Sequence, residues 1–501
     1  MFNFQPDKEK AEPERAVWGN QIEFLMSCIA TSVGLGNVWR FPFIAYQNGG
    51  GAFLIPYIIV LLLIGKPMYY LECVLGQFSS KNSVTVWSLS PAMKGAGYAT
   101  ALGCGYILSY YVSIVALCLY YLCMSFLPTL PRTVLQQIDG IEDGLGVKSS
   151  GKAAYFLALF PYVVMLILLI TTSILPGAGT GILFFLTPQW NKLIELDVWY
   201  AAVTQVFFSL SVCTGAIIMF SSYNGFRQNV YRDAMIVTTL DTFTSLLSGF
   251  TIFGILGNLA HELNTEVANV TGSAGTGLAF ISYPDAISKT FQPQLFAVLF
   301  FLMMTVLGIG SAVALLSTIN TVMLDAFPRI KTIFMSAFCC TIGFGVGLIY
   351  VTPVSLENLC LDIEYMLGIK TSFYWRCCWG VIMPAMMIVV FVYALATSET
   401  LKFGEDYYYP TAGYVSGYMM LFVGVAFVPI SIGLTMYKYR TGNCAETAKR
   451  SFRPKESWGP REEFERRNWI EFKREAEAAR AQKRTSWFQH IRYSLFGGYR
   501  R

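Results

Sequence analysis

Charge is scarce in this sequence and histidine is almost absent. Of 501 residues, only 13% are Asp, Glu, Lys or Arg, about half the share of an ordinary soluble domain. That shortage argues against a soluble globular chain. Two histidines, His261 and His490, with no nucleophile motif, phosphate loop or metal-ligand spacing, argue against an enzyme. Both are expected as ordinary surface residues in loops or tails. Nothing points to nucleic acid as a partner. A secretory leader is not expected either, since the first 20 residues are polar and mixed in charge, with Trp18 leading into the first apolar run.

What fills the chain is apolar: 54% hydrophobic residues, with 38 Phe, 29 Tyr and 10 Trp, a composition that suits lipid and its interfaces. The 12 cysteines do not read as a disulfide framework. Cys28, Cys104, Cys118, Cys213, Cys339 and Cys340 sit inside apolar runs, where a thiol behaves as a small hydrophobe.

Ten apolar runs are long enough to cross a bilayer as helices of about 20 residues. They lie near 22–44, 53–72, 98–126, 153–175, 198–220, 236–259, 295–318, 332–351, 373–397 and 411–437. The expected organisation is an N-terminal segment 1–21, a transmembrane domain 22–437, and a charged, solvated tail 438–501.

Loop charge sets the orientation. Lys81 and Lys94, Arg227 and Arg232, and Arg329 and Lys331 mark three cytoplasmic loops. The acceptor sequon at Asn269 places the 260–294 loop outside as a glycosylation candidate. Simple alternation of ten spans contradicts all of this. One extra crossing within 127–152 and another within 352–372 repair it and keep both termini cytoplasmic. Yet 127–152 is broken by Pro, Gly and charge, and unpaired backbone cannot cross hydrocarbon. The pattern is a twelve-helix plan with two helices missing.

The first span carries Ser32-Val33-Gly34-Leu35-Gly36-Asn37 at its centre. Each glycine costs a helix about 1 kcal/mol relative to Ala. A break at mid-membrane frees backbone dipoles to meet an ion and an anionic solute; the plainer alternative is glycines serving close helix packing. Arg40, near the outer end of that span, is expensive in a membrane and so a functional candidate. A second interruption follows Phe207-Phe208-Ser209-Leu210-Ser211-Val212-Cys213-Thr214-Gly215.

Trp18 to Gln77, with GLGNVWRFP, NGGGAFLIPY and GKPMYYLECVLGQ, then SYNGFRQNVYRDA (222–234) and LDAFPRIK (324–331), closely resembles the neurotransmitter:sodium symporter family. The pattern looks most like its insect nutrient amino acid transporter branch. The resemblance implies an all-α membrane protein with an inverted-repeat fold, two broken helices, and about ten transmembrane helices instead of twelve.

Carried over by motif, one sodium site would use Ser32, Asn37, Ser209 and Asp241. A second would use Ala30, Val33 and Leu307 with Ser311, and Gly310 stands where the family has a side-chain ligand. Chloride is implied at Tyr57, Gln205, Ser209 and Ser245. The solute would lie among Thr31, Gly34, Gly36, Tyr111, Phe208, Ser211 and Thr214. Arg15, Trp18, Tyr223 and Asp325 resemble the inner gate. Arg40 resembles the outer-gate arginine, whose acidic partner the family carries on its tenth helix.

Three departures shape the expectation. Asp241 stands where the family often has Asn, adding negative charge beside a cation; altered cation choice, potassium included, is the hypothesis, with a protonated Asp imitating Asn as the alternative. Gly34 replaces the Asp of biogenic-amine members, which favours an α-carboxylate and hence an amino acid. Thr214 and Cys213 replace Phe and Gly, so side-chain preference stays open. The resemblance also skips the family's fourth helix, between Phe126 and Gly151, and its tenth, after Pro353.

Two functions follow. One is a sodium-coupled, chloride-dependent symporter of neutral amino acids in the plasma membrane, working by alternating access. The other is a truncated, inactive form acting at most as an interaction partner. Expected partners are a small amino acid, Na+, Cl- and the lipid bilayer, with homo-oligomer formation left open.

Overall fold

The computed structural model describes residues 17–126, 147–267, 293–326, 411–441, 443–454, 458–460 and 463–481, with isolated positions between 374 and 408. It is helical throughout except for one antiparallel pair of two-residue strands, Lys402–Phe403 and Tyr407–Tyr408.

The chain enters the fold through a capping box. Asn20 Oδ1 accepts the Glu23 N–H at 2.8 Å, and Glu23 Oε2 accepts the Gly19 N–H at 3.0 Å, so donors exposed by the first turn are satisfied reciprocally. Helix α1 (Gln21–Ser32) stops at Val33. The chain resumes as a wide π turn, Gly36–Arg40, and continues into α2 (Phe41–Gln47). The two halves are bent by 43°. The break therefore falls on the glycine pair.

Helix α3 (Gly51–Ser79) is the first long unbroken span. It carries Pro56 inside and ends on Ser80 in the left-handed conformation. Its outward residues Ile58, Ile59 and Leu62 are exposed, as a lipid-facing stripe should be. Helices α4 (Lys94–Met124) and α5 (Val147–Ser173) follow. After α5 the chain turns through 115° at Gly177, whose φ is +81°, into the short α6 (Ala178–Leu186). Sequence periodicity did not separate this bend from the loop beyond 175.

The second interrupted element is α7 (Leu196–Ser209), an unwound turn over 210–215, then α8 (Ala216–Ser221). Ser211, Cys213 and Gly215 all have positive φ, at 53°, 64° and 80°. Two non-glycine residues in that region are unusual and mark a segment held by its surroundings.

Helices α9 (Val230–Leu263) and α10 (Pro293–Ala326) complete the centre, α10 lying along α4. Gly181 and Gly257 let α6 and α9 touch: a Cβ on Gly181 would lie 1.7 Å from the Phe253 carbonyl. His261 sits in the last turn of α9 rather than in a loop, a correction to its expected place.

Among the described residues, Gly51–Ser79, Val230–Glu262 and Gln294–Ile319 are long and apolar enough to cross a bilayer, and the two bent pairs raise that number to five. The expected spans at 332–351 and 373–397 lie outside the described set apart from a few isolated positions.

The tail corrects a further expectation. Helix α11 (Thr411–Lys438) packs along α4, and α12 (Cys444–Phe452) and α13 (Glu463–Ala481) follow it. The tail is not simply solvated. Trp458 and Trp469 are buried, with ring centroids 5.5 and 5.7 Å from that of Phe78 at the end of α3. Arg227 and Glu465 form an ion pair at 2.8 Å. Charge dominated the composition of this segment and hid two anchoring tryptophans.

Candidate functional site

Both breaks face one another across a cavity of about 320 Å³. All seven expected solute residues line it: Thr31, Gly34, Gly36, Tyr111, Phe208, Ser211 and Thr214. The remaining wall includes Ile107, Phe207, Val212 and Leu315, which are apolar, and one cation, Arg40, whose guanidinium stacks over the Phe208 ring at 4.2 Å. Among the described residues, no acidic side chain lines the cavity.

The unwound turn of the first helix is fixed by side chains. Asn37 Oδ1 accepts the Gly34 N–H at 3.0 Å, and Tyr111 Oη accepts the Leu35 N–H at 3.2 Å. These bonds replace the intrahelical partners the break removes. The glycines also serve packing: a Cβ at Gly34 would lie 2.6 Å from Ser311 Oγ, and one at Gly36 would lie 2.8 Å from the Phe208 ring. Their two readings, open backbone and close approach, therefore coexist.

The residues expected around the first sodium ion converge. Asn37 Nδ2 lies 2.7 Å from Asp241 Oδ1, 3.0 Å from Ser209 Oγ and 2.9 Å from Ser245 Oγ. Ser209 Oγ donates to Asp241 Oδ1 at 2.9 Å and to Oδ2 at 3.1 Å. Asp241, Asn37, Ser209 and Ser245 are all buried, as is the Ser32 hydroxyl, which has no hydrogen-bond partner. A carboxylate, hydroxyls and the carbonyls of an unwound helix form an oxygen donor set, the chemistry a hard cation takes. Here the side-chain oxygens converge on the Asn37 amide nitrogen.

Around the second expected site, Ser311 Oγ donates to the Thr31 carbonyl at 3.1 Å. Gly310 presses on α1: a Cβ there would lie 2.7 Å from the Ala30 carbonyl. Val33 and Leu307 are buried nearby in the shared core. Glycine thus allows the close contact that a side-chain ligand at 310 would obstruct.

For the expected chloride group, Tyr57 and Gln205 are fully buried. Tyr57 Oη lies beside the Thr242 and Ser245 hydroxyls without a partner in hydrogen-bond geometry. Gln205 Nε2 donates to the Gly36 carbonyl at 3.4 Å, leaving its Oε1 orphaned.

Of the expected gate residues, Trp18 is locked to the turn after α8. Its backbone N–H donates to the Tyr223 carbonyl at 3.2 Å and its indole N–H to the Phe220 carbonyl at 3.0 Å. Tyr223 Oη reaches Thr321 Oγ1 on α10 at 3.4 Å. Arg15 and the glycosylation candidate Asn269 lie outside the described residues, and Asp325 is described only as part of α10.

Sequence reasoning missed two neighbouring polar contacts. Asp233, buried in the first turn of α9, accepts from Gln21 Nε2 at 3.2 Å and from Gln228 Nε2 at 3.1 Å. Glu72, buried in α3, accepts the Cys213 N–H at 2.7 Å. An acidic residue inside an apolar run is the signal that could have found Glu72.

Comparison with known proteins identifies the family. The model of the sodium:neurotransmitter symporter family matches residues 15–138, 144–361 and 354–439. Its interruptions fall within 127–152 and 352–372. Sodium-dependent nutrient amino acid transporter 1 of Drosophila persimilis is 44% identical over 589 aligned positions, covering 96% of this chain and 90% of that protein. Its counterpart in Drosophila melanogaster is 45% identical over 597 positions, covering 96% and 93%. Both alignments are longer than the 501-residue chain, so the relatives carry sequence that this chain does not. With a match that spans nearly all of residues 15–439, the chain belongs to the sodium:neurotransmitter symporter family.

Proposed function

We propose that the chain is a secondary active symporter that moves a neutral amino acid with sodium by alternating access. The observation that carries this reading is the meeting of two unwound helices at Asn37, Ser209 and Asp241, beside a cavity lined by backbone and hydroxyl groups. Oxygen ligands at the bottom would hold sodium. The Gly34 and Gly36 backbone would admit the α-carboxylate, and the apolar wall of Ile107, Val212 and Leu315 would meet a neutral side chain.

The Trp18 bonds to Phe220 and Tyr223 close the inner end. Their release would open the site to the cytoplasm. The Drosophila relatives, which are sodium-dependent nutrient amino acid transporters, support the same solute class. The transmembrane domain is proposed as 22–437, with both termini cytoplasmic and the plasma membrane as host. Chloride dependence is part of the proposal, with Tyr57, Gln205, Ser209 and Ser245 as its ligands, supported by the buried Tyr57 hydroxyl that has no hydrogen-bond partner.

A second reading has its own observation. The family match is interrupted at the two places where hydropathy lacks a crossing, which favours a chain with two helices removed and no transport of its own. Sodium-dependent uptake of labelled neutral amino acids by liposomes holding this chain separates the two. Uptake abolished by replacing sodium with choline supports the symporter; a folded chain with no uptake leaves the inactive form.

A further inference from the structure

Buried hydroxyls in this chain commonly turn back onto their own helix. Thr31 Oγ1 donates to the Ser27 carbonyl at 2.8 Å, Ser79 Oγ to that of Leu75 at 2.7 Å, and Thr305 Oγ1 to that of Phe301 at 2.8 Å. Ser32 on α1 and Ser221 on α8 do not, and Tyr69 on α3 joins them. Each is at most 2% exposed, and none of the three oxygens has a hydrogen-bond partner among the described residues.

The three meet in one joint. Cys28 and Ser32 share a face of α1, and Tyr69 and Cys73 share a face of α3. Tyr69 Oη lies beside the Cys28 thiol and the Ser32 hydroxyl, and the Cys73 thiol lies beside the Ser221 hydroxyl. Helix α8 is pressed onto α3 here: a Cβ on Gly76 would lie 2.9 Å from that of Ser221. Four of the five side chains are short, and they come side by side without closing a hydrogen bond.

Polar groups that adjoin without reaching one another are where proteins hold buried water, which takes a few such partners. Leaving the oxygens dry costs more than immobilising the water that would satisfy them. We infer that ordered water is bound in the joint between α1, α3 and α8, shared by the hydroxyls of Ser32, Tyr69 and Ser221. Ser32 also lines the cavity, so the joint adjoins it. Bonds to water can be remade with bulk solvent, so α1 can part from α3 and α8 at the inner end without stranding buried polar groups. The water site itself does not depend on transport.

X-ray radiolysis of the purified full chain in lipid nanodiscs, read by mass spectrometry, tests it, because hydroxyl radicals formed from a bound water label the side chains that touch it. Cys118 in α4 is the reference: it is fully buried, with no side-chain hydroxyl beside it among the described residues. Cys28 and Cys73, each 1% exposed, should be oxidised at least tenfold faster than Cys118. Equal rates would overturn the site.

N-ethylmaleimide, too large for a gap that holds water, should alkylate neither Cys28 nor Cys73. Alkylation at the pace of the exposed Cys123 would mean that bulk solvent enters, and overturns a resident water. Neither comparison needs a variant to fold. Tyr69→Phe, which removes only the central hydroxyl, should slow the oxidation of Cys28 at least threefold. An unchanged rate would show that the hydroxyls do not hold the water, and the inference fails.

Discussion

The Cys213 N–H donates to Glu72 Oε1 at 2.7 Å, so a residue of the unbroken α3 holds the unwound turn between α7 and α8 from behind. Cys213 sits at a φ of +64°, a conformation costly for a side chain bearing Cβ. The Glu72 bond is one of the contacts that offset this cost. The carboxylate is 1% exposed and its other oxygen has no partner, so little besides this bond accounts for the acid.

Glu72→Ala leaves a buried N–H unsatisfied, which costs about 1–3 kcal/mol. The purified chain should melt several degrees lower. Glu72→Gln keeps an acceptor oxygen in place and should recover most of the loss. Equal melting of the Ala variant and the wild type would show that the break is held by other contacts.

Two glycines with opposite roles give the second prediction. A Cβ on Gly181 meets the Phe253 backbone at 1.7 Å, and backbone cannot rotate aside. A Cβ on Gly34 meets the Ser311 hydroxyl and the Tyr111 hydroxyl, both side-chain ends. Gly181→Ala should therefore lower the melting temperature sharply, separating α6 from α9, whereas Gly34→Ala should leave the fold and weaken solute binding tenfold or more. Binding of a labelled amino acid and thermal melting, measured on both variants, would show the crossover.

Much of this site was legible in the residues because its chemistry is local. Gly34, Gly36 and the run Ser209 to Gly215 weaken a helix by their own propensities, and the chain breaks there. The convergence of Asn37, Ser209 and Asp241 came through the family motifs, since residues 172 and 204 positions apart have no local signal of meeting. The Glu72 bond, the Asp233 contacts and the docking of the tail depend on such long-range encounters too. An acid inside the apolar run around Glu72 is a signal that hydropathy could have raised, but it names no partner.

The docked tail makes a third prediction. Trp469 is 8% exposed, packs on Phe78, and sits against Gly459, where a Cβ would lie 2.8 Å from the indole ring. Truncating a buried tryptophan costs about 3–5 kcal/mol, so Trp469→Ala should release α13. By contrast the Arg227 side chain is 52% exposed, and such an ion pair contributes at most about 1 kcal/mol. Limited proteolysis of the tail should accelerate strongly in Trp469→Ala and hardly at all in Glu465→Ala. The reverse order would mean that charge, not packing, fixes the tail.

The carboxylate of Asp241 makes a last prediction, about cation choice. A site of neutral oxygens holds a cation through dipoles, whose attraction falls off faster with distance than that of a full charge, so the larger potassium ion loses proportionately more of it. Adding a carboxylate raises the attraction for both ions, which brings potassium within binding range although sodium stays closer to its ligands. The wild-type chain should accordingly be stabilised against heat by potassium gluconate as well as by sodium gluconate. Asp241→Asn retains a side chain of the same shape and can still face Asn37 and Ser209. It should lose the potassium response altogether and keep a sodium response, shifted to at least tenfold higher concentration. If the two proteins rank sodium and potassium alike, Asp241 is acting as a neutral hydrogen-bonding group, and the acid at this position does not set cation choice.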